Sequence, residues 1–165
     1  MDAALFWIIE TLNDSTLSTF VMGNPYVFPI LEMAHFVGLC LLFGSLLVVD
    51  LRIVGFAQLV PINRVDLFVR FALAGFAINL LTGLLFIVGD SDRYLVNYAF
   101  WTKMAVIGFA GVNSIYFFRR IKPQLDAGTA STSLSGGAHL VAWLSLVTWS
   151  CVIILGRFIP FVEDL

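Results

Sequence analysis

The chain alternates between long apolar segments and short polar ones, and four of the apolar segments are long enough to cross a membrane. They cover residues 28–49, 67–88, 98–118 and 138–161. A helix needs about 20 mainly apolar residues to span a bilayer, and inside lipid its backbone groups must be paired within the segment. The pattern therefore predicts four transmembrane helices.

Polar connections separate the four segments. Residues 50–66 and 89–97 are short, and residues 119–137 end in a flexible stretch rich in Ser and Gly. Short connections favour antiparallel neighbours. We therefore predict an all-α integral membrane protein whose domain, residues 28–165, is an up-down bundle of four transmembrane helices.

Residues 1–27 form a separate amphipathic segment. Apolar side chains recur at helical spacing, and the turn-forming residues Asn13, Asp14 and Ser15 interrupt them. The first charges are acidic, whereas a secretory signal begins with Lys or Arg. We expect one or two short interfacial helices on the membrane surface, the simplest interpretation being a lid with no chemistry of its own.

The composition supports a membrane protein and excludes some partners. Hydrophobic residues make up 60% of the 165 residues, charged residues make up 12%, and the mean hydropathy is +0.97. A soluble domain is nearer half apolar and a quarter charged. The net charge of −2 and the lack of a basic run argue against nucleic acid. Cys40 and Cys151 lie in apolar runs, where cysteine packs as a small apolar residue.

The basic residues predict the orientation. Six of them lie on the side of the connections after the first and third predicted helices, namely Arg52, Arg64, Arg70, Arg119, Arg120 and Lys122. The opposite side holds Arg93, Lys103 and Arg157. Since Lys and Arg accumulate on the cytoplasmic side, both termini are predicted to face away from the cytoplasm.

Six polar side chains interrupt the apolar segments at similar predicted depth. They are Glu32, His35, Asn79, Thr82, Lys103 and Arg157. With a rise of about 1.5 Å per residue, all six fall in the outer half of the bundle, and they come from four different helices. Ionisable residues inside a membrane are costly and indicate function by default. The pattern predicts a shared polar site near the outer surface.

The chemistry of these residues suits a haem or porphyrin. A neutral imidazole is a good iron ligand, so His35 is the candidate axial ligand. Lys103 and Arg157 could meet porphyrin propionates, and Glu32 could orient the histidine or relay a proton.

Small residues accompany this site. Gly38 follows His35 on one helical face, and Gly75, Asn79 and Gly83 recur at four-residue steps on the second helix. Small residues let membrane helices approach closely, but they could equally leave room for a flat ligand. Gly38 and Asn79 therefore belong to the candidate binding residues.

Two other interpretations remain open. The polar cluster could be a structural network in a non-catalytic membrane subunit or homo-oligomer, with Glu32 paired to a cation. Alternatively, His35 and methionines, namely Met22, Met33 and Met104, could handle copper or another small ion. His139 lies at the other end of its predicted helix, too far away to share an iron with His35.

Motifs in three of the helices resemble those of an uncharacterised family of small bacterial inner-membrane proteins. They are Glu32-x-x-His35-x-x-Gly38 with Asp50-Leu51-Arg52, Trp101-x-Lys103, and Gly156-Arg157. The resemblance covers most of the chain from Pro29 on. It implies a bacterial inner-membrane location, and together with the orientation predicted from the basic residues this would place both termini in the periplasm.

The layout also resembles HemJ-type protoporphyrinogen oxidases and the membrane domain of CopD-type copper proteins. The similar features are a histidine early in the first helix, an arginine at its far end, and a lysine early in the third. In the HemJ type this histidine binds haem b and the lysine is essential, which implies these roles for His35 and Lys103, with Arg52 at the far end. The HemJ type carries a further histidine in the latter part of the third helix, where this chain has Asn113.

These observations lead to one principal hypothesis. The protein binds haem b or a porphyrin in the outer half of the bundle and serves electron transfer or a porphyrin-linked redox step. Its partners would be the lipid bilayer, a quinone or another membrane redox protein, and a second copy of the chain remains a candidate partner.

Overall fold

The computed structural model describes residues 3–61, 64–126 and 136–162, and within them the chain is helical without strands. The helices are α1 (Ala3–Asn13), α2 (Thr16–Gly23), α3 (Val27–Val54), α4 (Val65–Gly89), α5 (Ser91–Leu95), α6 (Tyr98–Tyr116), α7 (Lys122–Asp126) and α8 (Gly136–Phe158). A π-helical turn (Phe117–Ile121) joins α6 to α7, and a 3-10 turn (Ile159–Phe161) follows α8. The all-α class is confirmed, while most of the predicted flexible Ser/Gly stretch lies outside the described residues.

The first long helix extends further than its apolar segment predicts. α3 continues past residue 49 to Val54 and ends at Gly55, whose φ of 100° is in the left-handed region. The Gly55 N–H donates to the Leu51 carbonyl, which satisfies one of the free carbonyls at the helix end. Asp50 therefore lies inside α3 and not in the connection that comes after it.

The break in the N-terminal segment is where the sequence predicts it. Ser15 caps α2, and its Oγ accepts a hydrogen bond of 3.1 Å from the Ser18 N–H. The Ser18 hydroxyl donates to the Gly89 carbonyl at 3.4 Å, and the Asn13 amide donates to Asp92 at 2.7 Å. These bonds tie α1 and α2 across the end of α4 and onto α5.

α3 and α4 pack with their backbones in direct contact. A Cβ added at Gly75 would lie 2.5 Å from the Leu42 nitrogen and 2.6 Å from the Gly38 oxygen. Only glycine permits this approach, so the small residues at this crossing serve helix packing.

The other long helices complete a bundle that is open on one side. α8 packs against both α3 and α6, whereas within the described residues α4 and α6 scarcely approach each other. Asn97 ties the start of α6 to the end of α8, because its amide donates to the Ile159 carbonyl at 2.9 Å. A cleft results between α4 and α6, and α3 and α8 form its floor.

The cleft has two closed ends, which we name after one residue of each. At the His35 end, where α3 and α6 begin, the Tyr94 ring stacks on Phe86 and makes a T-shaped contact with Phe100. At the Asp50 end, where α4 and α8 begin, Lys122 and Asp66 form an ion pair at 2.7 Å. Buried apolar side chains pack beside that pair, namely Val49, Ile53, Val65, Ile121, Leu125, Ala138 and Ala142.

Three helical segments in the described part of the chain are long and apolar enough to cross a membrane. They are Val27–Val54, Val65–Gly89 and Gly136–Phe161. Large apolar side chains on their surfaces are exposed, which suits a lipid environment. α6 is less apolar because it carries Lys103, Asn113 and Ser114. The three segments indicate a membrane protein, and the fourth span stays a prediction.

Candidate functional site

His35 is held by a hydrogen bond that joins α3 to α4. Its Nδ1 lies 2.7 Å from the Thr82 Oγ1, and the same hydroxyl lies 2.8 Å from the Ile78 carbonyl. In the tautomer that satisfies both contacts at once, Nδ1–H donates to the hydroxyl and the hydroxyl donates to the carbonyl. That tautomer leaves the lone pair of Nε2 available to a ligand.

The neighbours of the imidazole come from α4. The ring centroid of His35 lies 5.2 Å from that of Phe86, at an interplanar angle of 51°. A Cβ added at Gly83 would lie 3.9 Å from the His35 Cε1, an ordinary contact distance. The absent side chain at Gly83 leaves space beside the half-buried ring.

Lys103 reaches the same region from the opposite wall of the cleft. Its Nζ lies 3.2 Å from the position that a Cβ on Gly156 of α8 would occupy, and its charge acts electrostatically on His35. Across the described ranges, no acidic side chain pairs with this half-buried ammonium. An unpaired cation in this position favours an anionic group as its partner.

Asn79 contributes a second polar group without a partner. Its Oδ1 and Nδ2 are both buried, and neither finds a hydrogen-bond partner among the described residues. Asn79 lies one turn from Thr82 and Gly83 on α4. Buried amides are normally hydrogen-bonded, so these two atoms indicate a missing partner.

The structure does not bring every predicted site residue into this cluster. Glu32 is exposed on α3, and Arg157 is exposed at the end of α8, where its guanidinium lies 5.1 Å from the Phe161 ring centroid. Gly38 lies in the contact between α3 and α4 and leaves no space for a ligand there, since a Cβ on it would lie 2.8 Å from Ile78. The cluster therefore consists of His35, Thr82, Asn79 and Lys103, a smaller set than the sequence predicts.

The residues of the copper hypothesis lie in separate surroundings. Met33 is 60% exposed on α3, Met104 packs against the buried cluster of Ala99 and Phe100, and Met22 contacts the end of α4. No group of three His, Cys, Asp or Glu side chains suited to a metal ion occurs in the described part of the chain. His139 lies at the start of α8, beside Ala138 and thus at the Asp50 end.

A second polar region lies deeper in the cleft, and the hydropathy pattern does not predict it. Asp50 is only 4% exposed, and its Oδ2 has no hydrogen-bond partner among the residues described. It lines a cavity of about 180 Å³ between α4 and α6. In the sequence, the only sign of this region is the acidic residue Asp50, two positions before Arg52. A charge at that place commonly marks the end of a membrane span, so the sequence does not predict that Asp50 is buried.

Comparison with known proteins shows a family but no activity. A family of unknown function, DUF6644, matches residues 21–162, so the chain belongs to that family. No curated protein and no solved structure matches the chain.

Proposed function

We propose that the protein binds a b-type haem or a porphyrin at the His35 end of the α4–α6 cleft, with His35 as the axial ligand. The observation that supports this most directly is the hydrogen bond between the His35 Nδ1 and Thr82, because it occupies Nδ1 and leaves Nε2 as the nitrogen that could bind iron. The proposed role is electron transfer or a porphyrin-linked redox step.

The residues of the cluster fit this group. A histidine that ligates a metal typically donates its other ring N–H to a fixed acceptor, which sets the tautomer and orients the ring. The Thr82 hydroxyl, 2.7 Å from the His35 Nδ1, can serve as such an acceptor. The unpaired ammonium of Lys103 and the unsatisfied amide of Asn79 suit the two carboxylates of a porphyrin.

The exposed residues of the predicted site take outer roles in this proposal. Arg157 and Glu32 lie on the surface near the His35 end, on α8 and α3 respectively. Arg157 could meet a carboxylate that reaches the rim of the cleft, and Glu32 could exchange protons with the medium. Neither residue is needed to bind the metal.

A bound haem would supply one-electron chemistry, and the chain would tune it. Thr82 would orient the imidazole, Lys103 would place a positive charge near it, and the apolar floor would exclude water. The resemblance to HemJ-type oxidases, which rests on His35 and Lys103, supports a redox role with a quinone or a membrane redox protein as partner.

The proposal includes a membrane topology. α6 crosses the bilayer as a fourth span between its neighbours, and both termini lie in the periplasm of a bacterial inner membrane. The excess of Lys and Arg at the Asp50 end of the bundle supports this orientation.

An optical spectrum tests the haem directly. The full chain is expressed with ample haem precursor, purified in detergent and scanned between oxidised and reduced states. We expect a Soret band that is lost in His35→Ala and weakened in Lys103→Met. The chain has one other histidine, so His139→Ala is the matched control and should keep the full band.

The outcomes separate this proposal from a structural alternative. The bond between His35 and Thr82 also links α3 to α4, which favours a non-catalytic module as the second candidate. A well-folded protein without a Soret band, or one whose band survives in His35→Ala, would support that module instead.

A further inference from the structure

The cavity beside Asp50 is distinct from the His35 cluster. Asp50 and His35 are separated by fifteen residues of α3, a distance of about 22 Å along a helix with a rise of 1.5 Å per residue. Phe76 and Trp149 line the cavity, with ring centroids 6.4 Å apart in a T-shaped contact, and Asn79 of the His35 cluster follows Phe76 by about one turn of α4. The Asp50 carboxyl and the His35 imidazole can therefore take different ligands, and binding at Asp50 does not depend on the proposed haem.

The cavity is apolar over most of its wall. Its volume is about 180 Å³, and the lining is contributed by α3, α4, α6 and α8, including Leu42, Leu46, Ala72, Phe76, Ile107 and Trp149. An apolar cavity of about 150 Å³ holds a benzene molecule, whereas drug-sized ligands need about 300 Å³ or more. The space fits one ring or a short aliphatic body with a small substituent.

Four polar side chains interrupt that apolar wall, namely Asp50, Asn113, Ser114 and Ser145, and among the described lining residues Asp50 carries the only carboxyl. The Ser145 side chain lies within hydrogen-bonding reach of Asp50, but the Asp50 Oδ2 has no partner within the described ranges. The nearest basic residue on α3 is turned away, because the Arg52 Nε donates to the Val60 carbonyl at 2.7 Å. A buried carboxylate with one oxygen lacking a donor, and with no counter-charge among the described residues, is costly, so the site is complementary to a cation.

The cavity opens toward the surface between α4 and α6. Leu73 and Phe118 line it while remaining 54% and 38% exposed. Gly111 also lines it, and a Cβ added there would meet nothing within 4 Å. A small amphiphile dissolved in the bilayer could enter from this side without separating packed helices.

From these observations we propose that the cavity binds a small organic ammonium compound, with its apolar body between α4 and α6 and its N–H donated to the Asp50 Oδ2. The carboxylate neutralises the ammonium, and Ser145 supports the carboxyl from α8. This is binding only, and no bond is made or broken.

The test uses 2-phenylethylamine as the probe and the full chain in detergent. Isothermal titration calorimetry should show saturable binding to the wild-type protein. Asp50→Asn keeps the shape but removes the charge, and it should weaken binding by about tenfold or more, as expected for a hydrogen bond to a charged group. The neutral analogue 2-phenylethanol should bind the wild-type protein more weakly by a similar factor.

A second pair of variants tests the cavity without touching Asp50. Gly111→Val fills the open space and should weaken binding by about tenfold, since the added methyl groups exclude the ligand. Gly108→Val is the matched control, because Gly108 also has nothing within 4 Å on α6 but does not line the cavity. It should bind like the wild-type protein.

Several results would overturn the proposal. These are equal affinity of Asp50→Asn, equal affinity of the alcohol, or uptake that never saturates and is the same in all variants, as for partition into the micelle. If Asp50→Asn does not fold, the comparison of Gly111→Val with Gly108→Val decides alone, and equal binding by those two variants refutes the site.

Discussion

At the His35 end the backbones of α3 and α4 touch and the half-buried imidazole has a partner, whereas at the Asp50 end α4 and α6 diverge around a cavity. The His35 Nδ1 is bonded to Thr82 at 2.7 Å, while the Asp50 Oδ2 has no partner among the described residues. Small residues occur at both ends. Gly75 brings two helices together, while Gly111 faces open space. Whether a small residue serves helix packing or leaves space for a ligand therefore depends on how far away the opposite helix lies.

The largest expected difference concerns these two glycines. Gly75→Ala would place a Cβ 2.5 Å from a backbone nitrogen, so α3 and α4 must separate, at a cost of about 3 kcal/mol or more. Gly111→Ala meets no atom and should be neutral or stabilise the helix by up to about 1 kcal/mol. Unfolding in mixed detergent micelles, followed by circular dichroism, measures both. Equal changes in the free energy of unfolding for the two variants would contradict the proposed difference in packing between the two ends.

The next difference concerns the buried polar groups. Without ligand, Asp50→Leu removes an unsatisfied carboxyl oxygen and should raise the free energy of unfolding by about 1–3 kcal/mol. His35→Leu removes a satisfied group and should lower it by about 1 kcal/mol. The same unfolding assay checks both signs. Destabilisation in Asp50→Leu would mean that the carboxyl has a stabilising partner.

The sequence predicts the helices and the depth of their polar residues well. Long apolar runs define α3, α4 and α8, and the rise per residue places His35, Asn79 and Lys103 at the same level. The direction in which a side chain points is harder to predict from the sequence. Glu32 precedes His35 by three residues, which rotates it by about 60° around the helix, enough to expose it.

The cavity could not be predicted because it depends on which helices are neighbours. Asp50 follows an apolar run and precedes Arg52, so it resembles the end of a span. Only the continuation of α3 to Val54 and the separation of α4 from α6 bury it. These are tertiary features that the hydropathy of a single segment does not contain.

A smaller effect is expected for the hydrogen bond at the His35 end. Thr82→Val keeps the shape of the side chain but removes the hydroxyl that is hydrogen-bonded to His35. Interhelical hydrogen bonds in membranes contribute about 0.6 kcal/mol on average. A double-mutant cycle of Thr82→Val with His35→Leu should give a coupling energy of about that size. A coupling energy of zero would mean that the His35–Thr82 hydrogen bond does not stabilise the contact between α3 and α4.

The smallest effect is expected at the closed end of the cleft, beside Asp50. The Asp66–Lys122 pair is short, at 2.7 Å, but the Asp66 side chain is 51% exposed, so water and salt screen the attraction. Asp66→Asn should therefore lower the free energy of unfolding by less than about 1 kcal/mol, and added salt should reduce the difference further. Val65 and Ile121 are buried beside this pair, and apolar packing of this kind is what we expect to hold α4 against α7. If Asp66→Asn instead lowered the free energy of unfolding by about 3 kcal/mol, the ion pair and not the apolar packing would hold this end of the cleft closed. The Asp50 end would then depend on a polar contact, as the His35 end does.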